Sequence, residues 1–262
     1  MRCGNGEKSV NRAMDLTEVI VHTINHGYQK GPVFYASFHC GPSAAITCTG
    51  QVANGEEAKH LLVSTLWDHL AMLERPLWNG CPSSSGTDFP IRVLRETLGR
   101  PRLLVGEYRG PAISFSEGGG RIWAALCADE SDIGIDAAES DEFQGAYPVQ
   151  RVFHPEELEH ALSLTGGDRE EALALLWSIK EAVVKALGCG FHLVDPRQIT
   201  VYPSEVGVAA GDGGQTFPVG LSGKAQIRFP LASRRSIRVH SLPWRKMWLS
   251  IALVSWKPAR HE

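Results

Sequence analysis

The sequence predicts an α+β fold built from two similar halves that meet near residue 130, the first spanning residues 1–130 and the second 131–262. Three observations support this. Short segments rich in β-branched and aromatic residues alternate with long amphipathic stretches, in the order strands, helix, strands, and the same order then repeats. A chain of 262 residues buries a substantial core as one large or two small domains. A composition of 43% hydrophobic and 21% charged residues is that of an ordinary soluble globular protein.

Residues 16–24 read as a short helix after a polar start. Residues 33–38 and 44–49 read as strands between Gly and Pro signals. Residues 56–74 carry Leu61, Leu62, Leu66, Leu70 and Leu73 at helical spacing, and the loop at 79–86 then breaks the pattern. Strands are expected at 102–106, 111–116 and 122–127, with a glycine turn at 117–120. A further strand at 133–136 ends on Asp136, and a polar run follows at 139–142. Pro155, Glu156 and Glu157 mark a helix start. The clearest helix is 170–187, with Leu173, Leu176, Trp177, Val184 and Leu187 on one face and Gly188 as its stop. Residues 199–202, 225–229, 236–240 and 247–255 complete a β-rich tail.

The bulk properties exclude several function classes. A net charge of −3 is unsuited to general nucleic-acid binding, which relies on many phosphate contacts from Lys and Arg. Six scattered cysteines without a CxxC pair point to free thiols in a reducing compartment rather than a zinc site or disulfide framework. The first residues lack an apolar core of signal-peptide type, and no apolar run reaches membrane-spanning length, so a cytoplasmic protein without membrane contact is expected. No GxSxG, P-loop, HExxH or dinucleotide fingerprint is present.

Two segments carry candidate chemistry. Asp136 ends an apolar strand, where a rigid element holds a carboxylate at a cleft. Glu181 and Lys185 share a helix face at (i, i+4) spacing, close to Trp177. Each has a plain structural alternative, a turn residue and a surface ion pair. Charges set beside a Trp and a run of Ala and Val favour a partly buried site instead. If Asp136 and Glu181 converge, two hard oxygen donors suit Mg²⁺, and Lys180 and Lys185 neutralise phosphate oxygens.

These segments resemble the 4′-phosphopantetheinyl transferases of the surfactin-synthetase type. A Gly-Ile-Asp strand precedes a helix that matches the family pattern at Trp177, Ser178, Lys180, Glu181, Ala182 and Lys185. Gly99, Arg100 and Pro101 resemble the family's Gly-Lys-Pro. Ser114 and Ser116 lie on a strand like the one leading to its Ser-His-Ser, and Phe153 to Glu157 resembles its Phe-x-x-x-Glu segment. The likeness covers residues 95–190. It implies two pseudo-two-fold halves in a monomer with the active site in the cleft between them.

It further implies a Mg²⁺-dependent enzyme of holo-[acyl-carrier-protein] synthase activity. Such an enzyme transfers 4′-phosphopantetheine from coenzyme A to a serine of an acyl or peptidyl carrier protein in fatty acid, polyketide or nonribosomal peptide biosynthesis, releasing 3′,5′-ADP. The roles implied are Asp136 and Glu181 at the metal, Glu181 and Lys185 in catalysis, and Arg100, Ser116, Glu117, Lys180 and Lys185 around coenzyme A. Arg151 and the segment around Phe153 are candidates for contacting the acidic carrier protein.

Two positions depart from the pattern. Ala138 stands where many members have a second acid, with Glu139 one residue later on the opposite strand face. Glu117 stands at the position of the family's phosphate-binding histidine. Glu117 is therefore expected either to replace the missing metal ligand or to weaken coenzyme A binding. These departures also favour an alternative, a pseudoenzyme that binds coenzyme A or carrier protein without transfer.

Overall fold

The computed structural model describes residues 19–24, 32–39, 55–72, 90–128, 131–145, 147–204, 213–233 and 237–255. Two antiparallel sheets organise them into an α+β fold. The first has the order β1-β2-β6-β5-β4-β3, built from β1 (Ile20–Ile24), β2 (Val33–His39), β3 (Ile91–Arg95), β4 (Pro101–Val105), β5 (Tyr108–Gly118) and β6 (Arg121–Cys127). The second has the order β7-β11-β10-β9-β8, built from β7 (Asp132–Glu139), β8 (Ile199–Val201), β9 (Gln215–Leu221), β10 (Ile237–Trp244) and β11 (Met247–Val254).

The alternation of side chains along the strands sorts the core into layers. Helix α1 (Gly55–Ala71) puts Ala58, Leu62, Val63, Leu66 and Leu70 onto one face of the first sheet, against Phe34, Ala36, Ala124 and Leu126. The other face of that sheet, through Tyr35, Trp123 and Ala125, meets Ile133, Ile135, Leu249 and Ile251 of the second. The outer face of the second sheet is covered by α2 (Val149–Val152), α3 (Pro155–Leu164) and α4 (Arg169–Ala186). The chain thus stacks helix, sheet, sheet and helix.

Local chemistry fixes α3 and α4. Asp168 caps α4 by accepting a hydrogen bond from the Glu171 N–H, and Gly188 at φ 71° ends it. Glu157 reaches back to the His154 N–H at 2.9 Å in a capping box, with Pro155 as the first helical residue.

The two sheets are stitched where β5 faces the outer edge of β7. The Ile135 N–H donates to Ser114 Oγ at 3.1 Å and the Ala137 N–H to Ser116 Oγ at 3.2 Å. Serine hydroxyls here satisfy edge amides that a further strand would otherwise pair. Gly118 belongs to the same seam, since a Cβ there would lie 2.8 Å from the Ala137 Cβ.

Some expectations need correction. Residues 20–24, expected in a helix, form β1, because Ile, Val and Thr gain pairing with β2 across the full segment. Residues 225–229, expected as a strand, lie mostly in α5 (Gly223–Arg228), which leads into α6 (Pro230–Ser233). The Ala225 N–H donates to the Gln198 side chain and the Ala225 methyl is buried, which pins that turn as a helix. Strand β9 was not anticipated, since Pro218 and Gly220 both argue against a strand. The polar run at 139–142 becomes a 3-10 turn, Ser140–Phe143. The expected strand at 44–49 and loop at 79–86 lie outside the described residues. Neither Cys127 nor Cys189 forms a disulfide. No helix among the described residues is long and apolar enough to cross a membrane.

Candidate active site

A cleft of about 580 Å³ opens between the two halves, with walls drawn from both. Lys59 of α1, Arg95 of β3, Arg100, and Ser116 and Glu117 of β5 line it from the first half. Asp136, Glu142, Trp177, Glu181 and Lys185 line it from the second.

The centre is where β7 passes under α4. Lys185 Nζ lies 2.7 Å from Asp136 Oδ1 and also donates to Ser116 Oγ and to the carbonyl oxygens of Ile135 and Phe115. The Ser116 hydroxyl donates to the same Asp136 oxygen at 3.0 Å. One ammonium thus ties together α4, β7 and β5. Glu181 stands one turn earlier on α4. Burial, and then the negative charge of Asp136, push its carboxyl up to about 7, and Lys185 offsets this only in part.

Trp177 forms the apolar flank, with Phe191 at a ring distance of 5.0 Å and Tyr147 at 6.4 Å. The Tyr147 phenol is raised by burial and by the charges of Glu142 and Glu181, so it resists ionising beside the carboxylates.

The opposite wall is cationic. Arg100 is ion-paired with Asp132 and donates to the Ala186 carbonyl at 3.3 Å, so it joins the first half to the end of α4. Gly188 lets it in, because a Cβ there would sit 2.9 Å from the guanidinium. Lys59 Nζ pairs with Glu117 at 3.3 Å and with Glu56 at 3.7 Å. Glu56 also meets Arg95 at 3.5 Å.

The structure therefore brings Asp136, Glu181, Lys185, Ser116, Glu117 and Arg100 to the lining of one cleft. It does not bring Lys180 with them. Lys180 is fully buried on the far face of α4, where Nζ bonds Glu157 at 2.9 Å and the carbonyls of Val152, Pro196 and Ile199. Its ammonium is consumed in holding α2, α3 and the Pro196–Gln198 turn to α4, so the expected phosphate contact is corrected to a structural one. Burial lowers its pKa and the Glu157 charge opposes that shift.

Replacing Lys180 with Met should destabilise the fold by about 3 kcal/mol, near the lower end for breaking a buried pair. Glu157 would still hold the N–H groups of His154 and Val201. Urea titration checks this.

Phe153 is likewise corrected. It is buried beneath Tyr147 and the Lys180 ammonium and presents no surface to a partner, whereas Arg151 is exposed. Ala138 packs into the core beneath α4, and the Glu139 carboxylate turns to the Gly119 N–H at 2.7 Å, away from the cleft.

Sequence reasoning missed Lys59, Arg95 and Glu142. Lys59 and Arg95 sit on ordinary amphipathic elements, and nothing local distinguishes them. Glu142 falls inside the polar run whose helical turn aims it at the cleft. Among the described residues, no group of three His, Cys, Asp or Glu side chains is close enough to hold a metal ion. Asp136 and Glu181 are two of the carboxylates that line the cleft, beside Glu117 and Glu142.

No curated protein matches the chain. Solved structures similar to parts of it include two forms of one protein. A Chronobacterium ammoniagenes ACPS–CoA complex is 20% identical, covering 49% of this chain and 98% of that one at a TM-score of 0.37. The apo form of ACPS from that organism is 22% identical, covering 47% and 95% at a TM-score of 0.38. Residues 132–227, which include β7, α4 and the carboxylate side of the cleft, match the family model described as the 4′-phosphopantetheinyl transferase superfamily. That match is confined to the second half of the chain.

Proposed function

We propose that the protein transfers the 4′-phosphopantetheine arm of coenzyme A to a serine of an acyl or peptidyl carrier protein, with Mg²⁺, and releases 3′,5′-ADP. The observation that carries this reading is the convergence of Asp136, Glu181 and Lys185 opposite Lys59, Arg95 and Arg100 in one cleft. Two carboxylates and several cations facing a common space suit a diphosphate substrate and a hard cation.

The donor set fits Mg²⁺, which takes a few carboxylates and completes its shell with water and phosphate oxygen. Burial, and then the charge of Asp136, raise Glu181 to about 7, and a divalent cation held by the two carboxylates would relieve that charge. Asp136 and Glu181 would hold the ion, and bound there it would supply neutralisation of the diphosphate charge.

The chain's own residues perform the remaining steps. Lys185, positioned by Ser116 and Asp136, meets the diphosphate as a point charge, and Arg100 and Lys59 draw the polyanion into the cleft. Glu181 accepts the proton of the carrier serine as its oxygen bonds the β-phosphorus. The bond from that phosphorus to the bridging oxygen breaks, and 3′,5′-ADP departs with the electron pair. Catalysis of this type rests on positioning and charge complementarity.

Incubation with labelled coenzyme A and a panel of apo carrier proteins tests the proposal. Label is expected on at least one carrier serine, and none across the panel would favour the binding-only alternative. In thermal melts at pH 8, Mg²⁺ is expected to raise the Tm of wild type by a few degrees and leave Glu181→Gln unmoved. An equal shift in both would remove Glu181 from the ion.

A further inference from the structure

Along the first-half wall the charges alternate Arg95, Glu56, Lys59, Glu117. Glu117 follows Ser116 on β5 and lines the cleft, so a carboxylate sits where an entering diphosphate needs cations. Its partner Lys59 comes from α1, a different element, and is nearer to Glu117 at 3.3 Å than to Glu56 at 3.7 Å. Lys59 is 18% exposed and Glu117 69%, so the ammonium is anchored in the wall and the carboxylate leans out over it. Such a half-solvated pair is weak and yields to a stronger anion.

We propose that Glu117 is a specificity-determining residue. It occupies the Lys59 ammonium as an internal competitor, and a ligand must carry the charge density of a diphosphate to displace it. This rests on the transferase reading only for the identity of that ligand. On displacement Lys59 turns from carboxylate to phosphate, and Glu117 passes into solvent. A single phosphate gains less from the exchange and is turned away. The same pairing answers the charge conflict raised by an acid at this position, because Glu117 reaches the cleft already neutralised.

Isothermal titration of the intact protein with coenzyme A, inorganic pyrophosphate and inorganic phosphate tests this. Glu117→Gln is expected to bind pyrophosphate and coenzyme A about fivefold tighter, with a steeper loss of affinity as salt rises. The preference for pyrophosphate over phosphate is expected to narrow. In a Lys59→Met background most of the gain should disappear. Unchanged or weaker pyrophosphate binding by Glu117→Gln overturns the inference, as does an equal gain without Lys59. If coenzyme A binds wild type but no gain appears, the transferase reading stands and the competitor role falls. If pyrophosphate shows the gain while coenzyme A does not bind, the competitor role stands and the transferase reading falls.

Discussion

Replacing Gly134 with Ala is expected to destabilise the protein by about 4 kcal/mol or more, beyond the range of ordinary substitutions. A Cβ at this position would lie 2.0 Å from the Ala182 carbonyl oxygen and 2.5 Å from the Ala186 nitrogen. Both are backbone atoms of α4, so no side-chain rotation relieves the overlap, and the helix must lift from β7. That helix carries Glu181 and Lys185 and the strand carries Asp136, so lifting it also separates the groups of the candidate site. A fall in Tm of about 10 °C or more in circular dichroism checks this. Gly55→Ala is the control. Nothing lies within 4 Å of its Cβ, and its Tm should stay within about 2 °C of wild type.

The second large effect separates activity from stability at one residue. Glu181→Gln removes the proton acceptor and should lower transfer by about 10²- to 10⁴-fold. The same change should stabilise the fold at alkaline pH. The folded state raises Glu181 from 4.5 to about 7, so it binds the proton more tightly than the unfolded chain does. Wild type therefore loses stability as pH rises from about 4.5 to 7, reaching a deficit of roughly 3 kcal/mol above that window. Glutamine is neutral throughout and escapes the loss. Urea titrations at pH 4.5 and pH 8 should show the two proteins converging at low pH and Glu181→Gln the more stable at high pH. A variant less stable than wild type at pH 8 contradicts the cost of holding Glu181 charged in its buried place beside Asp136.

The carboxylate side of the cleft was legible because β7 and α4 announce themselves locally. Asp168, the acidic first turn, the apolar face and Gly188 delimit α4, and Gly134 and Asp136 mark a strand that must approach it closely. Asp136, Glu181 and Lys185 follow from those two elements alone. What was illegible depends on partners distant in sequence. Residues 20–24 form a strand only because β2 is there to pair, and Lys180 reads as a phosphate contact until Glu157 and three carbonyls close around it. Ser116 was read as a ligand contact, whereas its hydroxyl also serves an amide of β7, a role set by how the sheets meet. Lys59 and Arg95 were missed because α1 and β3 reach the cleft through tertiary packing and carry no local motif.

The most direct test of the central claim measures 3′,5′-ADP release and carrier-protein mass together, with coenzyme A, Mg²⁺ and an apo carrier protein that accepts label. The expected result is one 3′,5′-ADP released for each carrier serine that gains a phosphopantetheine, with both lost in Glu181→Gln. Coenzyme A binding without release, or release with the carrier unchanged, would contradict transfer as the work of this cleft.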